Sequence, residues 1–132
     1  MSRLVIGLGF RDEASAQSIG EVVTNVAADS AMPGVASVLA VLEDKAAHPS
    51  LVAAARAAHL LIETVAADAM RQADARVATR SERVEKHRGV GSVCEATALA
   101  AAGEGARLVV TRMVSADRHA TAAAALMEDP TP

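Results

Sequence analysis

At 132 residues the chain is long enough for one domain with a buried core and too short for two. It is 52% hydrophobic, 22% charged and 1% aromatic, with a formal charge of −3, which fits a globular protein and argues against aromatic stacking platforms and a basic nucleic-acid footprint. A single cysteine excludes an intramolecular disulfide framework, no apolar run reaches membrane-spanning length, and the N-terminus lacks a signal peptide's apolar core; the expectation is a cytoplasmic protein that engages neither membrane nor nucleic acid.

Leu4 to Leu8, closed by Gly9, reads as a buried strand starting almost at the N-terminus. Asp12 or Ser15 can cap the following helix, where Ile19, Val22, Val23 and Val26 recur at helical spacing until Met32-Pro33-Gly34 breaks it. Val35 to Leu42 is a second apolar strand, ended by the charged turn Glu43-Asp44-Lys45. Pro49-Ser50 opens a helix running to about His59, and Leu60 to Val65 is a third buried strand. Ala66 to Ala73 is helical or irregular, and Val77 to Thr79 a short strand before an exposed loop. Gly89-Val90-Gly91-Ser92 is a turn whose serine can cap a helix over Val93 to Ala102, with Glu95 at capping-box spacing. Gly103 and Gly105 end that helix, and Arg107 to Arg112 is a fourth strand. Ala122 to Ala125 has the composition of a helix but the position of an edge strand, and residues 128–132 read as a frayed tail. Alternating strands and helices predict an α/β fold, a compact three-layer α/β/α sandwich with a mostly parallel sheet, in one domain spanning 1–132.

In such sheets ligands bind beyond the carboxyl ends of the strands. The residues there are Gly9, Phe10, Arg11 and Asp12 after the first strand, Glu43, Asp44 and Lys45 after the second, Ser81, Gly91 and Ser92 before the glycine-turn helix, and Arg112 and Ser115 around the end of the fourth. Arg11 and Arg112 can clamp carboxylates, and free amides at a helix start favour an anion. Gly7-x-Gly9 is a poor dinucleotide fingerprint, because its third glycine falls on Asp12; Gly9 also reads simply as a tight-turn residue. Glu95 is either the carboxylate of the capping box or an acid/base in the cleft, and Asp44 is either a solvated turn residue or a second base. Phe10, the lone aromatic, is a core anchor or a stacking surface for a flat ligand. Cys94 reads as a buried, inert thiol. The four histidines show no ligand spacing, so neither a metal nor a cofactor is expected.

Gly7-Leu8-Gly9-Phe10-Arg11, Glu43-Asp44-Lys45, Ser81, and above all Gly89-Val90-Gly91-Ser92-Val93-Cys94-Glu95-Ala96 resemble one family, that of CobE and the C-terminal domain of CbiG from cobalamin biosynthesis. The resemblance spans Leu4 to Leu126. It implies a role in building the corrin ring, namely binding a precorrin or hydrogenobyrinic acid intermediate, or handing it on among other enzymes of the corrin pathway. The alternative it carries is lactone opening with release of a two-carbon fragment. The family often has lysine where this chain has Arg112 and a carboxylate where it has His48, which favours binding over catalysis. The family also implies that Ala120 to Leu126 is extended despite its alanines. Arg11, Lys45, Ser92, Glu95 and Arg112 are expected to line one cleft suited to a flat, carboxylate-rich ligand.

Overall fold

The computed structural model describes residues 2–32, 36–80 and 91–128. The first strand, β1 (Ser2–Phe10), alternates strictly between two cores: Leu4, Ile6 and Leu8 enter one apolar cluster and Val5 the other. The first cluster is completed by Ile19, Val22, Val23 and Val26 of α1 (Ala16–Ser30) and by Leu51, Ala54 and Ala55 of α2 (Pro49–Ala58). The second is completed by Met70 of α3 (Ala67–Gln72) and by Ala96, Ala98, Leu99 and Ala102 of α4 (Val93–Ala102). Helices therefore pack on both faces of one sheet.

That sheet has five strands in the order β3-β2-β1-β5-β4, where β2 is Ala36–Leu42, β3 is Ile62–Val65, β4 is Arg107–Val114 and β5 is Ala120–Glu128. β1 pairs with β2, and β2 with β3, in parallel, but β5 runs antiparallel to both β1 and β4. The sheet is mixed, which corrects the expectation of a mostly parallel one. Only a short turn separates Val114 from Ala120, and a parallel crossover needs roughly a dozen residues or more, so β4 and β5 can only form a hairpin.

The alanine-rich tail is extended, as expected. Nine residues of β5 pair in register with β1, and Ala122 to Ala125 are fully buried. Glu128, assigned to the frayed tail by sequence, is still in β5. Three further expectations fail. Leu60 to Val65 is not a buried strand: β3 lies at the sheet edge, Ile62 and Glu63 are half-buried and Leu61 is 81% exposed. Val77 to Thr79 forms no strand, because the Ala78 and Thr79 amides bond to the Glu95 carboxylate instead of a neighbouring ladder. Ser92 precedes α4 without capping it: its hydroxyl lies 3.5 Å from the Cys94 sulfur.

Gly7 sets how closely α4 approaches the sheet. A Cβ on Gly7 would lie 2.1 Å from the carbonyl oxygen of Cys94 and 2.6 Å from the amide of Ala98. The helix backbone rests directly on β1, with its N-terminus at the carboxyl end of that strand.

Candidate functional site

β1 has a parallel neighbour on one side and an antiparallel hairpin on the other. The chain leaves β1 for α1 on one face and returns toward it through α3 and α4 on the opposite face, so the carboxyl end of β1 is the point where the connections diverge and where an open sheet offers a crevice. The structure places most of the expected site residues at this edge, in two groups.

The first group surrounds Phe10. The Lys45 ammonium lies 5.2 Å from the Phe10 ring centroid, within cation–π range, and 2.6 Å from an Asp12 carboxylate oxygen. The Lys45 side chain is 16% exposed whereas that of Asp12 is 87% exposed, so the cation is walled in and its counter-ion stands in solvent. The His48 ring meets Phe10 edge-on, with centroids 5.2 Å apart and an interplanar angle of 81°. Arg11 extends from the same loop, half-exposed, 3.9 Å from Glu13, and its backbone amide is anchored on the carbonyl of His119. Asp44 sits exposed in the 3-10 turn Glu43–Lys45 that carries Lys45.

The second group lies where α4 begins. Thr121 of β5 donates its hydroxyl to the Gly9 carbonyl, and a Cβ on Gly9 would come 3.0 Å from that hydroxyl and 3.4 Å from Val93. Ser92 and Cys94 are buried beside it. Burial pushes the Cys94 thiol up, against a smaller opposing pull from the Ser92 and Thr121 hydroxyls and the Arg112 charge. Gly91 is also buried, but its amide is committed to the Asp74 carboxylate at 2.8 Å, so it is not a free anion-binding donor. The same carboxylate takes the Arg80 guanidinium, and the Gly91 amide first, then Arg80, lower the Asp74 carboxyl from its ordinary value. Ser81 lies outside the described residues.

Glu95 is fully buried and closes neither a capping box nor the wall of a cleft. Its Oε1 accepts the amides of Ala78 and Thr79 at 2.8 and 2.7 Å; its Oε2 accepts the Thr79 hydroxyl at 2.9 Å and the Arg112 amide at 2.8 Å. The pairing of β4 with β5 is irregular between Val110 and Met113, which frees the Arg112 amide from the ladder for this bond. Glu95 thus ties α4, the 78–79 segment and β4 together. Arg112 is fixed through its backbone and half-buried, on the α4 side of the edge and apart from the Phe10 corner.

Sequence reasoning missed His48 and Thr121 as members of this edge. Thr121 gave no signal, because its place depends on a hairpin that the alternating pattern conceals. His48 did carry one, in its position immediately before Pro49 at a helix start. Among the described residues no cluster of potential ligands could hold a metal ion, and no helix is long and apolar enough to cross a membrane.

Residues 4–125 match the family profile described as Cobalamin synthesis G C-terminus. The chain is 37% identical over 125 residues to Protein CobE of Sinorhizobium sp., covering 92% of this chain and 79% of that protein. Its fold matches the crystal structure of CobE, a protein from the cobalamin (vitamin B12) biosynthetic pathway, with a TM-score of 0.82 at 24% identity over 98% of this chain and 94% of the other. It also matches the cobalamin biosynthesis protein chiG from Agrobacterium tumefaciens str. C58, with a TM-score of 0.70 at 35% identity over 96% and 99% of the two chains. The chain therefore belongs to the Cobalamin synthesis G C-terminus family and is a cobalamin biosynthesis protein.

Proposed function

We propose that this protein binds a carboxylate-rich tetrapyrrole intermediate of corrin assembly, a precorrin or hydrogenobyrinic acid, at the carboxyl end of β1 and hands it on to another enzyme of that route in the cytoplasm. The observation that carries this reading is the Phe10 corner: an aromatic ring bearing the Lys45 ammonium, with Arg11 beside it on the same loop. A flat macrocycle suits the ring, and its carboxylates suit the two cations. The Asp12–Lys45 pair is compatible with such a ligand. Asp12 is the exposed partner of that pair and can swing away into solvent, so a ligand carboxylate can take its place on Lys45. Lactone opening by this chain would need an available base. Glu95 has both oxygens engaged by four donors, which argues against it as that base and leaves the exposed Asp44 as the other candidate.

The test is an absorbance titration with hydrogenobyrinic acid. Arg11→Ala and Lys45→Ala should each weaken binding by about tenfold, equivalent to about 1.4 kcal/mol. Unchanged affinity in both folded variants would remove the Phe10 corner from consideration. Release of acetaldehyde from a lactone-bearing cobalt-precorrin by the purified chain would establish catalysis instead.

A further inference from the structure

We infer that His48 is the positioning residue of the Phe10 corner, and that it acts only as the tautomer with its proton on Nε2. Two independent hydrogen bonds require that tautomer. The Ser50 amide donates to Nδ1 at 3.2 Å, so Nδ1 carries a lone pair. Nε2 lies 2.8 Å from the backbone carbonyl of Asp12, which can only accept, so Nε2 carries the hydrogen. With these bonds His48 caps α2 and ties that helix to the loop leaving β1. The ring's edge meets Phe10, and the Asp12 carboxylate reaches Lys45, whose ammonium lies over the same phenyl ring. One imidazole thereby fixes the backbone of Asp12, and through Asp12 and Phe10 the placement of Lys45. The far side of the loop is held separately, by the Arg11 amide on the His119 carbonyl and the Ala14 amide on the Arg11 carbonyl. Loss of His48 should therefore loosen the corner without unfolding the chain.

The two bonds can be separated by substitution. Asparagine is a preferred helix cap and can still accept from the Ser50 amide, but it is too short to reach the Asp12 carbonyl as well. The chain has one Phe and no Tyr or Trp, so 4-fluorophenylalanine gives a single fluorine resonance that reports on this corner alone and needs no ligand. In the wild-type chain, imidazole nitrogen shifts should show a bare Nδ1 and a protonated Nε2 at His48. His48→Asn should keep the helical circular dichroism and the protection of the α2 amides, yet move the fluorine line toward that of the free amino acid. His48→Ala should move the fluorine line in the same way and also lower the protection of the first α2 amides, with the chain still folded.

The consequence for the ligand rests on the proposed tetrapyrrole site: His48→Asn should weaken hydrogenobyrinic acid binding by about tenfold. If the wild-type chain binds no hydrogenobyrinic acid, that site fails, and the nitrogen and fluorine spectra still decide the role of His48. A proton on Nδ1, or a fluorine line in folded His48→Asn unchanged from wild type, would overturn it.

Discussion

Glu95 shows how one buried carboxylate changes meaning between sequence and structure. At capping-box spacing, Glu95→Gln looks harmless to folding, since the shape of the cap is kept. In the fold the side chain accepts four hydrogen bonds away from water, and an amide would turn an NH2 group toward donors. Glu95→Gln should therefore lose about 1–3 kcal/mol of stability, the cost of leaving buried donors unsatisfied, measured as a lower urea midpoint. A midpoint equal to wild type would mean the clamp is dispensable. Gly7 is a second such residue. Alanine there would drive Cβ into the Cys94 carbonyl, and that backbone cannot retreat without shifting α4. Gly7→Ala should cost about 3 kcal/mol or more, at the upper end of overpacking effects. Cys94, buried and with its thiol pushed up by desolvation, should react with a maleimide in the native protein far more slowly than in urea.

At the level of elements, β5 is decided by its neighbours. Alanine favours helix in isolation, but here each residue pairs with β1, and small side chains let helices approach from both faces. The turn that makes the hairpin possible is built around Asp117. Its carboxylate accepts the hydroxyls of Ser115 and Ser18 and the amide of His119, so the turn is pinned to α1. The Ser115 hydroxyl first, then Ser18 and the His119 amide, hold the Asp117 carboxyl well below the usual carboxylate range. A carboxyl held low in the fold adds stability that is present above its unfolded value, about 3.9, and is lost as pH falls below it. Wild type should therefore be more stable than Asp117→Asn near neutrality, and the gap in urea midpoints should narrow as the pH drops below about 4. A gap that stays constant with pH would contradict this.

Across the whole molecule, the mixed sheet brings the candidate groups to one edge but does not merge them into a single array. Phe10, Arg11 and Lys45 form one corner; Ser92, Cys94, Thr121 and Gly9 form another, with Arg112 beside them. A net charge of −3 gives no overall attraction for an acidic ligand, so affinity must come from the local cations. Binding of hydrogenobyrinic acid should therefore weaken as salt rises through the range where the Debye length shrinks from about 30 to 8 Å. Salt-independent binding would point to an apolar site elsewhere.

The sequence alone determined the strands and helices whose burial pattern is local. The apolar run of β1, the helical spacing of Ile19 to Val26, and the helix start at Pro49 are legible because neighbours in the chain share one face. The carboxyl-end cluster around Phe10 was legible for the same reason: a polar residue just past a buried strand must emerge at the sheet edge. What only the tertiary structure decided depends on partners distant in sequence. The direction of β5 follows from a turn too short for a crossover, and the duty of Glu95 follows from amides 16 and 17 residues away that its local spacing does not reveal. His48 is the clearest case, since its two nitrogens are assigned by a helix on one side and a loop 36 residues earlier on the other. Hydrogen-bond donors and acceptors must be satisfied wherever the fold brings them, and that accounting closes only in three dimensions.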